Sequence, residues 1–270
     1  MTRSVESRRV VHAGAAFFAA VLLAGVSACG QTSDAVEIDG DDIGGVVSGP
    51  DGPEAGVWVI AETMDLPTRF NRTVVTDDQG RYLMPDLPDA TYDVWVRGYG
   101  LVDSRKIRTT PGSSEDLTAV VAPDPHAAAQ YYPAAYWFSL IEVPEKNEFP
   151  GTGPQGNGIS PSIGSQSAFV RSLKSGGCMA CHQLGGKATR EIPEALGEFA
   201  STSDAWARRI QSGQAGGSMV GGLNRLGTSR ALEMFADWTD RIVAGEVPPV
   251  PPRPQGEERN VVITQWDWAD

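Results

Sequence analysis

Histidine, cysteine and basic residues are all scarce in this chain of 270 residues, and each scarcity narrows what the chain can do. Three histidines are present, His12, His126 and His182, with no H-E-x-x-H motif and no histidine anywhere in 43–122, so that stretch holds no peptidase zinc centre. Zinc needs about four ligands, and of thiol and imidazole type the exported chain offers only Cys178 and Cys181 with His182 and His126. Lys and Arg number 22 against 34 Asp and Glu, a net charge of −12. Little is left to neutralise phosphates, which excludes nucleic acid as a partner. An acidic surface of this kind is a solvated face, or a field that steers a basic redox partner.

Glycine and proline, by contrast, are plentiful, at 31 and 19, and the length suffices for two small domains joined by turns and linkers. At the start, Arg3, Arg8 and Arg9 precede an apolar run from Ala13 to Val26, the n-region and h-region of a signal peptide over 1–28. The run ends Val26-Ser27-Ala28-Cys29, which resembles a bacterial lipobox. That resemblance implies lipidation at Cys29 and a membrane partner reached through a lipid anchor; a plain cleaved signal or an uncleaved anchor is the alternative. The Ser7-Arg8-Arg9 similarity to a twin-arginine signal is superficial. Residues 29–42 are polar and acidic without periodicity and read as a flexible tether.

The segment 43–122 carries short runs rich in β-branched and aromatic residues, separated by turn residues, which is the pattern of an all-β sandwich. The runs are 43–47, 57–62, 73–76, 81–84, 91–97, 104–109 and 118–121. Asp77-Asp78-Gln79-Gly80 reads as a tight hairpin between the third and fourth. Gly44-Gly45-Val46-Val47, Gly56-Val57-Trp58-Val59, Thr76-Asp77-Asp78-Gln79-Gly80-Arg81-Tyr82, Pro85-Asp86-Leu87-Pro88 and Thr91-Tyr92-Asp93-Val94 resemble a carboxypeptidase regulatory-like domain, a transthyretin-like sandwich. The resemblance implies an interaction or spacer module, not a carboxypeptidase; glycan binding through exposed aromatics is the lesser option.

The connector 123–164 joins an aromatic stretch, 131–138, to a Gly and Pro rich one, 150–158. It cannot build a core alone, so its aromatics pack on a flanking domain or offer a docking surface.

Cys178-Met179-Ala180-Cys181-His182 has the C-x-x-C-H spacing that attaches a c-type haem, with two thiols bonding the porphyrin and the adjacent histidine ligating iron. A disulfide, half of a zinc site and a thioredoxin-like pair are the alternatives. The last would open a helix after a strand in a βαβ unit, a pattern that does not surround it. Helical periodicity predicts a helix over 165–175 carrying Phe169, Val170 and Leu173, and a second over 204–212 capped by Ser203. A third begins at Thr228 or Ser229 and ends at Gly245, with an apolar face of Leu232, Phe235, Ala236, Thr239, Ile242 and Val243.

This order, helix, C-x-x-C-H, loop, helix, methionine loop, helix, makes 165–247 resemble a class I cytochrome c. The resemblance implies an all-α domain, one covalent haem c held by Cys178 and Cys181, His182 as proximal ligand, and Phe169 crossing Phe235 or Trp238 near the haem edge. It also implies a proline carbonyl at Ile192-Pro193 bonded to the histidine. Of the six methionines, Met219 in the glycine-rich stretch 213–222 lies where the family keeps its axial methionine, although Val220 follows where proline is usual. Met234 on the last helix reads as core, and His126 is a fallback ligand.

The last stretch, 248–270, begins with a polyproline-like linker and reads as ending in a lone strand. The whole order is similar to longer exported bacterial proteins that continue into a propeller resembling virginiamycin B lyase, which implies a missing C-terminal domain; otherwise the strand pairs back onto the sandwich. The combined expectation is a multidomain chain, an all-β sandwich plus an all-α cytochrome c domain. Such a chain, exported and lipid-anchored on the periplasmic or outer face of a bacterial membrane, passes electrons to a redox partner protein. An electron-transfer subunit of a larger haem oxidoreductase, or a glycan- or protein-binding module with an incidental haem, are the rival readings.

Overall fold

The computed structural model describes residues 36–175 and 178–267. The predicted signal peptide, Cys29 and the glycine pair 176–177 expected to end the first helix lie outside the described residues. Eleven strands come first: β1 (Ile43–Gly49), β2 (Gly52–Pro53), β3 (Trp58–Thr63), β4 (Phe70–Val75), β5 (Arg81–Met84), β6 (Tyr92–Arg97), β7 (Leu101–Val102), β8 (Ile107–Thr109), β9 (Ser113–Ser114), β10 (Leu117–Thr118) and β11 (Val120–Val121). In one sheet β1 is the hub, antiparallel to β2 and β5 and parallel to β9 and β10. The other runs β12-β4-β3-β6-β8, where β12 is Ile263–Trp266, and β7 pairs with β11.

Strand alternation decides what faces inward. Val59 and Ala61 of β3 and Tyr92, Val94 and Val96 of β6 meet Ile43, Val47, Tyr82 and Met84 from the other sheet in a single apolar core. Each fully buried aliphatic or aromatic side chain contributes roughly 1.5–3 kcal/mol, and that shared core is what makes two sheets a sandwich.

Three expectations about this half are corrected. Residues 77–80 form a tight turn, with the Asp77 carboxylate accepting the Gln79 and Arg81 N–H groups at 2.8 and 2.9 Å and Gly80 at φ 72°. It is not a hairpin, because β4 pairs with β3 and β12 while β5 crosses to β1. The final strand is not lone but pairs back onto the sandwich, the alternative the sequence left open: β12 is antiparallel to β4, Trp266 opposite Phe70, their rings 4.7 Å apart. Nor does the tether run to residue 42. The Asp42 carboxylate accepts the Asp86 N–H at 3.2 Å, and the Asp41 and Asp42 carbonyls accept Leu87 and Gly112.

Seven helices follow: α1 (Pro125–Ala129), α2 (Ala134–Phe138), α3 (Gln166–Ser175), α4 (Lys187–Arg190), α5 (Thr202–Arg209), α6 (Gly216–Leu226) and α7 (Thr228–Val243). α5 starts earlier than the sequence suggests, because Ser201 rather than Ser203 caps it, accepting the Asp204 N–H at 3.1 Å. On α7 the buried residues are Ala231, Met234, Phe235, Ala236, Trp238, Thr239 and Ile242, a broad apolar face at helical spacing. Phe235, Ala236, Thr239 and Ile242 are buried as expected, whereas Leu232 is only half-buried and Val243 is exposed, and Ala231, Met234 and Trp238 widen the face on its other side. None of the helices among the described residues is long and apolar enough to cross a membrane.

The connector supplies part of the helical core. Ala129, Tyr132, Trp137, Ile159 and Ile163 sit with Phe169, Leu173, Phe235 and Trp238, and Trp137 is 1% exposed. Tyr99 at the end of the sandwich meets Tyr132 edge-on at 5.7 Å, so the connector also bridges the two cores. Because Trp137 is a core member and not a linker residue, Trp137→Ala should lower unfolding free energy by about 3–5 kcal/mol. Urea denaturation followed by far-ultraviolet circular dichroism measures it, and a change within experimental error would return 123–164 to the role of a spacer.

Candidate functional site

The C-x-x-C-H stretch follows α3 as a 3-10 turn over Cys178–Ala180. The Cys178 carbonyl accepts the N–H groups of Cys181 at 3.2 Å and His182 at 2.9 Å, so the chain curls back on itself and brings its three reactive side chains onto one turn. Both cysteines are free thiols. Cys178 is half-buried whereas Cys181 and His182 are exposed, and burial pushes the Cys178 thiol above the ordinary cysteine range.

What holds this turn lies just after it. Leu184 enters the helical core. Gly185 has φ +98°, and a Cβ there would lie 1.9 Å from the Ala134 carbonyl oxygen of α2, so only glycine permits so close an approach. Arg190, 5% exposed, donates from Nη1 to the Gly185 carbonyl at 2.9 Å and lies over the Trp137 ring at 4.0 Å. Desolvation holds its pKa below the usual arginine range.

Cys178, His182 and Met219 line one cavity of about 250 Å³. Its walls are otherwise Leu184, Ala188, Thr189, Trp206, Ile210, Leu223 and Phe235, with Arg209 the only arginine or lysine. Trp206 stacks on Phe235 at 4.8 Å and 22°, and the Trp206 indole N–H donates to Thr239 Oγ1 at 3.0 Å, which fixes the ring against α7. A largely apolar pocket that presents a thioether and an imidazole suits a flat apolar group that needs a nitrogen and a sulfur ligand. A larger open depression of about 690 Å³ beside α3 is lined by Lys146, Phe149, Val170 and Arg171 among others and holds no thiol, imidazole or thioether.

Met219 reaches the cavity from a helix and not from a loop. Gly216, Gly217, Gly221 and Gly222 each weaken a helix by about 1 kcal/mol relative to alanine, but Leu223 and Leu226 are buried one and two turns after Met219, and packing overrides propensity. His126 is exposed on α1 and is not part of the cavity wall. The Pro193 carbonyl accepts the Leu196 N–H at 2.9 Å. Phe169, Phe235 and Trp238 share the helical core, while α3 rests mainly on α6. Sequence reasoning missed Arg190 and Arg209. Arg209 was detectable, since Trp206, Arg209 and Ile210 share one face of α5 at i, i+3 and i+4. In the sandwich, Phe70, Tyr82, Tyr92 and Trp95 are all buried, which leaves few aromatics for a glycan.

No family model matches the chain, and no curated protein matches it. Two solved structures similar to part of it are type II cohesin–X-dockerin complexes from Acetivibrio cellulolyticus. One, an N-terminal interface mutant, has 15% sequence identity, covering 32% of this chain and 61% of that chain with a TM-score of 0.24. The other, a C-terminal interface mutant, has 19% identity, 29% and 53% coverage and a TM-score of 0.22. The chain thus spans less than two thirds of the length of either.

The unequal surroundings of the two thiols have a chemical consequence. In protein made without its first 28 residues, iodoacetamide at about pH 8 should alkylate Cys181 several-fold faster than Cys178, since reaction needs an exposed thiolate. Peptide mass spectrometry over a time course reads the order; modification of Cys178 first would contradict the placement of the turn.

Proposed function

We propose that this chain is an exported, lipid-anchored c-type cytochrome that carries single electrons, with a carboxypeptidase regulatory-like sandwich as its interaction module. The observation that carries the reading is the convergence of Cys178, His182 and Met219 on one apolar cavity. Cys178 and Cys181 are the residues for two thioether attachments, His182 for the proximal iron ligand and Met219 for the distal one. When bound, haem c supplies a one-electron ferric–ferrous couple.

The chain's own residues set the terms of that couple. Met219 and His182 would hold the metal between them, and a thioether, as a soft ligand, would favour its reduced state. That favours electron transfer over oxygen or peroxide chemistry. Leu184, Ile210 and Leu223 keep water out of the wall, and the Trp206–Phe235 stack gives it a rigid flank. Nothing in this scheme calls for a catalytic side chain. Cys29 as the lipidated residue and the space outside the cytoplasmic membrane as the compartment belong to the same proposal, since haem attachment to C-x-x-C-H and the segment before Cys29 require the same export.

Expression in a bacterial host that exports the chain and attaches haem c should give a haem that survives denaturing electrophoresis. The oxidised protein should show the far-red methionine-to-iron charge-transfer band. Met219→Ala should abolish the band, lower the reduction potential and admit carbon monoxide to the ferrous form. A covalent haem with no such band in the parent protein, or rapid carbon monoxide binding to it, would replace the electron carrier by an open-site haem protein.

A further inference from the structure

One charge in the cavity wall has no counter-charge. Arg209, at the end of α5, lines the cavity with Cys178, His182 and Met219, yet that wall contains no aspartate or glutamate. Among the described residues Arg209 forms no ion pair. Its guanidinium already has neutral partners: Nη1 donates to the Glu191 carbonyl at 2.7 Å, Nη2 donates to the Ala188 carbonyl, and the Trp206 ring lies 4.9 Å away. These neighbours satisfy some of its N–H groups and orient its plane, but none of them neutralises it. The charged groups around it do not change this. Asp204 is on the first turn of α5 and meets Ser201, and the Glu191 carboxylate lies 3.7 Å from Arg190. His182 and Cys178 share the cavity, and neither is a carboxylate.

A guanidinium partly removed from water without an anion is costly, and the cost is recovered when an anion arrives. Five N–H donors in a fixed fork suit a carboxylate in particular. Burial depresses the arginine pKa, because it penalises the charged form. We propose that Arg209 binds a carboxylate of the cofactor inside the cavity, so that α5 orients the group as well as enclosing it. This rests on the haem reading above, haem being a cofactor that brings two propionate carboxylates into an apolar site. Arg209 is then a positioning residue, whose charge also disfavours the oxidised, more positive iron.

The test is the midpoint potential of the haem-loaded protein and of R209Q and R209K, followed between about pH 5 and pH 8. A carboxylate paired with Arg209 stays ionised throughout this window, so the parent potential should be nearly flat. R209Q should have a lower potential that falls further as pH rises through the range, as the released carboxylate titrates, and R209K should lie close to the parent. A flat and unshifted R209Q that keeps its far-red band would overturn the proposal, leaving Arg209 as a fastener of two carbonyls. If R209Q fails to retain haem while R209K retains it, the charge is needed and the proposal stands; if both fail and circular dichroism shows both unfolded, the fastener role is the correct one. Failure of the parent protein to acquire any covalent haem would instead remove the cytochrome reading itself.

Discussion

The helical half of this protein depends on one buried cation. Arg190 lies against the face of Trp137, bonds the Gly185 carbonyl, and has its own carbonyl bonded by Thr239 Oγ1 at 3.2 Å. From there the connections spread outward: the Trp206 indole donates to Thr239, the Trp238 indole donates to the Trp137 carbonyl at 3.0 Å, and the Trp137 indole donates to Ala129. Connector, C-x-x-C-H exit, α5 and α7 are thus tied at one centre. Energetically the arrangement is balanced rather than generous. A desolvated cation–π contact is worth about 2 kcal/mol, whereas the Arg190 Nε is buried without a partner, at a cost of about 1–3 kcal/mol. Glu191 at 3.7 Å is partly exposed, its side chain 42% accessible, and a pair this open to water adds little. The gain is in position: the guanidinium has a ring on one partner and a carbonyl on another, which together pin residues 185–190 where the chain leaves His182.

The sandwich is organised by a different constraint, the need to cover sheet edges. β12 closes the β4 edge, and the proline-rich segment before it is fastened on the way. Arg253 donates to Glu54 and to the Tyr99 carbonyl, and Arg259 donates to the Pro254 carbonyl and to Asp78. A polyproline-like stretch therefore becomes a strap over residues that lie 154 to 199 positions earlier in the chain.

How much of this was legible in the sequence follows from the range of each interaction. Short-range signals were readable: the β1, β3, β5 and β6 runs, the Asp77–Gly80 turn, α3, α7 and the C-x-x-C-H turn all rest on neighbours within a few residues. Their long-range partners were not. The turn looks like a hairpin locally, and only the pairing of β1 with β5 shows that it changes sheets. The last strand has no partner nearby in sequence and finds one in β4. On α7 the apolar residues outnumber the buried ones, so periodicity alone could not separate Val243, which is exposed, from Met234, which is not. Arg190 was invisible because a buried arginine has no sequence signature; it is recognisable only once Trp137, fifty-three positions earlier, is seen beneath it.

The glycine-rich stretch around Met219 shows where propensity and packing disagree most. Four glycines in an eleven-residue helix make α6 unable to stand alone, and its backbone is held instead by Leu223 and Leu226 in the core and by its contacts with α3 and α7. Met219 sits on the first turn of α6, half-buried, packed against the edge of the helical core and facing the cavity. A group that fills the cavity and takes the Met219 sulfur as a ligand would add a contact at this end of the helix. Such binding stabilises the folded state by mass action, so helix and occupant would hold each other in place. The same glycines that cost α6 its intrinsic stability leave the backbone near Met219 free of side chains, which is what a large flat occupant lying close to that backbone would need.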